Sequence, residues 1–146
     1  PLNVIKAMSS LQSQVASGSN SIAQYAAEEA LRSPKGAAEI ERMRKAYDER
    51  RQHIVARLNA IDGLKCVMPK GAFYVMVDMS ALKHLGDCEI TGSMDFASML
   101  LENADVALTP GSAFCAEGFC RISYATSMEN IDKGVDRIER FVKNLV

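Results

Sequence analysis

The chain has 146 residues, of which 48% are hydrophobic and 24% charged, a composition typical of a globular domain rather than of a tail or a fibre. Its 17 basic and 18 acidic side chains leave a net charge of -1, so no basic field favours nucleic acid or anionic lipid. The most apolar stretch, residues 72–77, is far shorter than the roughly 20 residues of a membrane span. We therefore expect neither a nucleic-acid-binding protein nor a membrane protein.

Two helices are predicted in the first 33 residues, over residues 2–15 and 22–31, separated by a small polar stretch at residues 17–21. The first carries an apolar stripe at spacings of three and four: Leu2, Ile5, Met8, Leu11 and Val15. A pair of helices cannot bury this stripe alone, so we expect it to be partly exposed unless the chain self-associates. The start at Pro1, without an initiator methionine, predicts a segment of a longer polypeptide.

A long helical pattern follows Pro34 and continues to about Ile61. At 1.5 Å per residue this helix is about 40 Å long, which is typical of a spine that joins two bodies. One face repeats apolar residues every seven positions, and the other is densely charged, as a solvated face is. Asp62 and Gly63 are predicted to end it.

Beyond the long helix the pattern is mainly extended. Strands are predicted over residues 64–68, 72–77, 106–108 and 119–125, a helix over residues 93–103, and a loop over residues 80–91. The strand at residues 72–77 is apolar throughout and is therefore expected to be covered on both faces. The segment is predicted to be an α/β unit.

A last helix is predicted from residue 128 to the end. Its apolar stripe consists of Met128, Ile131, Val135, Ile138, Val142 and Leu145. Thr126 and Glu129 occupy the positions of a capping box at its start.

Four cysteines, Cys66, Cys88, Cys115 and Cys120, are scattered without a C-x-x-C pair, and only two histidines accompany them. Structural zinc sites usually have paired ligands at short spacing, so no metal site is expected. Reduced thiols of this kind predict a cytoplasmic protein.

Arg121 interrupts an otherwise apolar strand and is the most informative residue. Alternation places it on the face of Phe119 and Ser123, opposite Cys120 and Ile122. A guanidinium is rarely buried without an anionic partner, and its planar fork matches a carboxylate. The residue pattern alone leaves three interpretations of Arg121 open. It binds a ligand carboxylate, it pairs with an internal Asp or Glu, or it lies at a sheet edge where its guanidinium reaches solvent.

Two turns accompany this arginine. The Pro-Gly-Ser turn at residues 110–112 follows a strand and could present backbone donors to a ligand, although such turns occur in most α/β proteins. Phe73 and Tyr74 follow a glycine turn, and ordinary core packing is the favoured interpretation of this pair. The chain has no phosphate-binding glycine loop and no nucleophile elbow, so no complete catalytic constellation is recognised.

Three motifs nevertheless occur together in order: Pro-Lys-Gly-Ala-Phe-Tyr at residues 69–74, Ala-Leu-Thr-Pro-Gly-Ser-Ala-Phe at residues 107–114, and Gly-Phe-Cys-Arg-Ile-Ser-Tyr-Ala at residues 118–125. With them, and with Pro-Leu at residues 1–2 and Ser-Ile-Ala-Gln at residues 21–24, the chain resembles the C-terminal part of class I/II aminotransferases of the aspartate aminotransferase type. The resemblance covers essentially the whole chain.

This resemblance implies the small α+β domain of fold type I pyridoxal phosphate enzymes, with a short, largely antiparallel sheet flanked by helices. Residues 1–33 would be a strip of the large domain, residues 34–61 the connecting helix, and residues 62–146 the small domain. Arg121 matches the family arginine that grips the substrate α-carboxylate, and Phe73 matches an aromatic residue near the substrate. The parent would be a cytoplasmic homodimer that uses pyridoxal phosphate to move an amino group between an amino acid and a 2-oxo acid.

The resemblance also implies what is missing. The family's Schiff-base lysine lies shortly before the position of Pro1, and no lysine here matches it, so the chain alone is predicted to be inactive, with no catalytic residue of its own. Cofactor-binding residues remain unassigned. Two alternatives stay open: another pyridoxal phosphate enzyme of this fold, such as a lyase, synthase or acyltransferase, and a non-catalytic domain that binds small ligands or partners.

Overall fold

The computed structural model describes residues 1–82, 84–85 and 88–143. The chain divides into two compact units, Pro1–Met43 and Arg44–Val146. The helices and strands, in chain order, are α1 Leu2–Ala16, α2 Ser21–Arg32, α3 Gly36–Asn59, β1 Lys65–Cys66, β2 Tyr74–Asp78, β3 His84–Leu85, β4 Cys88–Glu89, α4 Ser93–Ala104, β5 Thr109–Pro110, β6 Phe119–Ser123 and α5 Met128–Lys143. No helix among the described residues has both the length and the apolar composition of a membrane span.

The first unit contains α1, α2 and the start of α3. Both predicted helices are confirmed to within one residue. Asn20 begins α2 because its side-chain oxygen accepts a hydrogen bond from the Ala23 amide at 3.1 Å. Neither helix has a buried residue, and the predicted apolar stripe of α1 is exposed, with Leu2 at 71% and Val15 at 77%.

The second unit is built on a four-stranded antiparallel sheet with the order β1-β2-β6-β5. One face of the sheet carries Val75, Val77 and Cys120, which are buried with side chains of α3, α4 and α5, including Leu58 and Leu100. The opposite face is half-buried and carries Tyr74, Met76, Asp78, Phe119 and Arg121. The helices therefore cover one face and leave the face of Arg121 open within this unit.

The prediction that the apolar strand at residues 72–77 is covered on both faces is wrong. β2 begins at Tyr74, because Ala72 has a φ of 59°, which is incompatible with an extended strand. Only Val75 and Val77 are buried in β2. The apolar run reflects two environments, a core on one side and an aromatic surface on the other.

Other strands also differ from their predicted positions. The strand predicted at residues 106–108 does not form, because the Val106 amide donates to the Leu100 carbonyl at the end of α4 and the pairing starts at Thr109 instead. The segment predicted as a loop over residues 80–91 contains the β3–β4 pair. The strand predicted over residues 64–68 is confined to β1.

The last helix begins at Met128 and buries most of its predicted stripe. Ile131, Val135, Ile138 and Val142 are buried as predicted, whereas Leu145 lies outside the described residues. The predicted capping box is wrong. Ser127 supplies the cap instead, with its hydroxyl oxygen accepting from the Asn130 amide at 3.2 Å.

The described cysteine side chains are free thiols. Cys66 and Cys120 are buried, and burial raises the pKa of each to about 11. Cys115 is exposed.

An ion-pair cluster joins α3 to α5. Arg57 donates to Asp132 at 2.6 Å and to Asp136 at 2.5 Å, while the His53 Nε2 lies 2.6 Å from the same Asp132 oxygen. The hydrogen bond from His53, followed by the charges of His53 and Arg57, lowers the pKa of Asp132 below its usual value of 3.8. The cluster therefore links two helices that are far apart in sequence.

We expect the cluster to make stability dependent on acid pH. A carboxyl group whose pKa is lowered by folding stabilises the protein above its unfolded pKa, and this contribution is lost as the pH falls through the folded pKa. Asp132→Asn should therefore lower the free energy of unfolding at pH 6, and the difference from the parent chain should shrink below about pH 4.

Denaturant titrations between pH 3 and pH 7 measure this difference. The matched control is Glu129→Gln, which removes an exposed pair with Lys133 within α5 alone. An equal effect of both variants at every pH would contradict a stabilising link between the two helices.

Candidate functional site

Arg121 lies in β6, an interior strand of the sheet with β2 on one side and β5 on the other. Its Cα partners are Met76 and Thr109, so its side chain stands on the open face, as alternation predicted. An edge position is thereby excluded. Among the described residues no Asp or Glu pairs with Arg121, so no internal salt bridge is found within that part of the chain.

Two aromatic rings hold the Arg121 guanidinium. Its Cζ lies 4.3 Å from the ring centroid of Tyr74 and 4.2 Å from that of Phe114, in both cases over the ring. Such contacts attract the cation through the ring quadrupole without consuming its N–H donors. Within the described part of the chain the guanidinium makes no hydrogen bond, so its fork is available to a planar anion.

Phe73 extends this arrangement rather than joining the core. It is 40% exposed, and its ring lies 4.5 Å from Tyr74 and 6.2 Å from Tyr47. The core-packing interpretation of Phe73 and Tyr74 is therefore wrong. The rings of Tyr47, Phe73 and Tyr74 contact one another in sequence, and the Arg121 guanidinium contacts both Tyr74 and Phe114.

Hydrogen bonds fix both ends of the turn before Phe73. The Tyr124 hydroxyl donates to the Ala72 carbonyl at 2.8 Å, and Arg51 donates to the Pro69 carbonyl at 2.7 Å while bonded to Asp48. Burial raises the pKa of the Tyr124 hydroxyl, so it stays protonated and remains a donor. These contacts fix Phe73, and neither Tyr124 nor Arg51 was recognised as a supporting residue from sequence.

The Pro-Gly-Ser turn contributes a ring rather than backbone donors. The Ser112 amide donates to the Ser93 hydroxyl at 3.1 Å, and the Cys115 and Ala116 amides donate to carbonyls within the turn. These donors are consumed internally, so the expectation that they face a ligand is wrong for them. The turn instead places Phe114 beside Arg121. Phe114 was not predicted from the sequence, because no local pattern connects it with Arg121.

The described lysines do not suit covalent attachment of pyridoxal phosphate. A lysine that forms a Schiff base is activated by desolvation or by a neighbouring cation. Every lysine within the described ranges is exposed: Lys6, Lys35, Lys45, Lys65, Lys70, Lys133 and Lys143. The lysines within the described ranges therefore lack the desolvated surroundings that attachment of this cofactor needs.

The family model for aminotransferase class I and II matches residues 2–138. The chain belongs to the class I and II aminotransferases. An aspartate aminotransferase of Bacillus sp. strain YM-2 is 44% identical over 142 residues, covering 97% of this chain and 35% of that protein. An aspartate/prephenate aminotransferase of Nitrosomonas europaea is 42% identical, with 94% of this chain and 35% of that protein covered.

Solved aminotransferase structures share the fold. The aspartate aminotransferase from Rhizobium meliloti matches with a TM-score of 0.89 and 38% identity, covering 100% of this chain and 37% of that one. An aromatic aminotransferase from Pyrococcus horikoshii matches with a TM-score of 0.83 and 38% identity, covering 100% of this chain and 38% of that one. This aminotransferase chain thus spans little more than a third of the length of these relatives, and its α/β fold is that of a fold type I enzyme.

Proposed function

We propose that the full-length protein transfers an amino group between an amino acid, with aspartate as the leading candidate, and a 2-oxo acid, and that this chain supplies the arginine that binds the substrate α-carboxylate. The observation that carries this proposal is Arg121, a half-buried cation on an interior strand with no acidic partner among the described residues. Relatives named as aspartate and aspartate/prephenate aminotransferases support the reaction class.

The geometry of Arg121 supports this proposed role. Two parallel N–H donors fit the two oxygens of a carboxylate and fix the plane of that group. A fixed carboxylate restricts rotation of the substrate about its Cα, which presents one Cα substituent to the reacting groups. Phe73, half-exposed beside Tyr74, would line the same space and exclude water from one side of the substrate.

Pyridoxal phosphate would supply the electron sink for this chemistry. We assign its attachment to a lysine outside this chain, because no lysine here matches the Schiff-base lysine of the family and every lysine within the described ranges is exposed. The 146-residue chain by itself is therefore expected to lack transaminase activity.

We also propose the domain assignment that goes with this function. Residues 1–33 would be a strip of the large domain, residues 34–61 the connecting helix, and residues 62–146 the mobile small domain of a cytoplasmic homodimer. The exposed apolar stripe of α1 supports the first part, because exposed apolar surface of this kind usually has a partner.

The test uses the full-length protein with a panel of amino-acid and 2-oxo-acid pairs. We expect a yellow protein that converts aspartate and a 2-oxo acid to the exchanged pair, measured by product formation. Decarboxylation, elimination or acyl transfer without amino exchange would identify another reaction on this fold. Stoichiometric binding of dicarboxylates to the 146-residue chain alone, with no reaction by the full-length protein, would identify a binding domain.

A further inference from the structure

A short surface segment holds the ring that covers Arg121. Residues 111–118, which we call the Phe114 loop, connect β5 to β6 and place the Phe114 ring over the guanidinium. We propose that Glu117 and Phe114 are positioning residues: Glu117 locks the Phe114 loop onto the start of α4, and Phe114 thereby sets the orientation of Arg121 for a substrate carboxylate. The proposal deepens the proposed function and rests on it for the identity of the ligand.

The first step is the attachment of the loop. The Glu117 carboxylate accepts from the Ser93 amide at 2.5 Å and from the Gly118 amide at 3.3 Å. Ser93 is fully buried, and its hydroxyl accepts from the Ser112 amide at 3.1 Å, while its carbonyl accepts from the Cys120 thiol at 3.8 Å. One residue at the start of α4 thus binds the beginning and the end of the loop, as well as β6.

The electrostatics favour this attachment. The first backbone amides of a helix lack intrahelical acceptors and carry the positive end of the helix dipole. The Glu117 carboxylate bonds to one of these amides, and the hydrogen bonds lower its pKa, so the carboxylate is ionised at neutral pH. The nearby Asp95 carboxylate opposes this effect but is itself bonded to Thr91.

The second step is the effect on Arg121. An arginine side chain has many rotamers, and fixing them before binding lowers the entropic cost of binding a ligand. An acidic partner would also fix the side chain, but it would compete with the substrate carboxylate. Tyr74 and Phe114 fix the guanidinium through their ring faces and leave its charge unneutralised. Phe114 is itself 43% exposed, so the loop, not the core, determines where it lies.

The direct test is the NMR signal of the Arg121 Nε–H in the full-length protein. Because the adjoining Cζ lies over two aromatic rings, this proton is expected upfield of that of an exposed arginine. Phe114→Ala and Glu117→Ala should both move the signal toward the exposed position, whereas Phe114→Tyr should keep it upfield. Glu117→Gln should retain most of the shift, because its amide oxygen still accepts from the Ser93 amide. Glu102→Ala, an exposed change in α4, is the matched control.

The second test uses kinetics of the full-length protein. Phe114→Ala and Glu117→Ala are expected to raise KM for the amino-acid substrate about 10-fold, with a smaller change in kcat, and Phe114→Tyr should restore KM. A purely structural role would lower the amount of folded enzyme without moving KM. Circular dichroism checks that each variant is folded, and Phe114→Leu replaces Phe114→Ala if the alanine variant is not.

The two proposals fail in different ways. If Arg121 does not bind the substrate, the arginine signal still responds to Phe114→Ala, but the full-length protein shows no KM change. If the loop does not position Arg121, neither the signal nor KM responds to Phe114→Ala or Glu117→Ala. That second outcome overturns the inference even when the transaminase is active.

Discussion

Arg121→Ala in the full-length protein is expected to lower kcat/KM for the amino-acid substrate by about 100-fold to 10,000-fold. In the carboxylate-binding role that we propose for Arg121, the variant removes two parallel hydrogen bonds to a charged group, each worth roughly 1.5–3 kcal/mol, and every 1.36 kcal/mol corresponds to about a factor of ten. The binding of the carboxylate and the orientation of the substrate are lost together. KM should therefore rise while kcat falls.

Steady-state kinetics of the purified full-length variant test this result. Arg121→Lys is expected to recover only part of the loss, because an ammonium is a point charge that cannot form the planar pair. Arg137→Ala is the matched control, since Arg137 is exposed and, among the described residues, donates only to the Asp105 carbonyl. Unchanged kinetics of Arg121→Ala would refute the carboxylate role, whereas an effect limited to expression would indicate a structural one.

The features of the fold that depend on local periodicity were predicted well. The stripe of α5 repeats with the helical period, and its members Ile131, Val135 and Ile138 are buried as expected. The face of Arg121 followed from alternation along β6, which requires no knowledge of the partner strands. Both inferences use only the geometry of one element.

Features that depend on contacts between distant residues were not predicted. The Ser93 amide and the Glu117 carboxylate are 24 residues apart, and no sequence period links a helix start to a loop. The same limit applies to Tyr124, whose hydroxyl bonds to a carbonyl 52 residues away. The start of β2 was misplaced for a related reason. Ala72 adopts a left-handed conformation that its residue type disfavours, so the surrounding contacts impose it.

The position of Phe114 depends both on a local sequence pattern and on contacts between distant residues. The Pro-Gly-Ser turn marked the loop, but the direction of the ring depends on where the loop closes. The Ala116 amide, which donates to the Gly111 carbonyl at 2.9 Å, contributes to that closure together with the Glu117 carboxylate. Sequence therefore locates the segment, and only the three-dimensional contacts identify which of its side chains reaches Arg121.

Gly111→Ala should disrupt this closure directly. Gly111 is buried, and a Cβ there would overlap the backbone carbonyl oxygens of Ala116 and Phe119. Backbone atoms cannot swing aside as the end of a flexible side chain can, so the loop must move as a unit. We expect the free energy of unfolding to fall by about 1–3 kcal/mol, the range typical of overpacked sites. The Phe114 ring should then move away from the Arg121 guanidinium. KM for the amino-acid substrate should rise, as we expect for Phe114→Ala.

Gly134→Ala in the same chain is expected to change the free energy of unfolding in the opposite direction. Gly134 lies inside α5 and a Cβ there would meet open space, so alanine should raise the free energy of unfolding by about 0.5–1 kcal/mol through helix propensity. Thermal and denaturant unfolding of both variants measure the two signs side by side, and the Arg121 Nε–H signal should move only in Gly111→Ala. Equal stability of the two variants would show that the loop yields to an added methyl group. Phe114 would then owe its position to the ring contact with Arg121 rather than to the closure at Gly111.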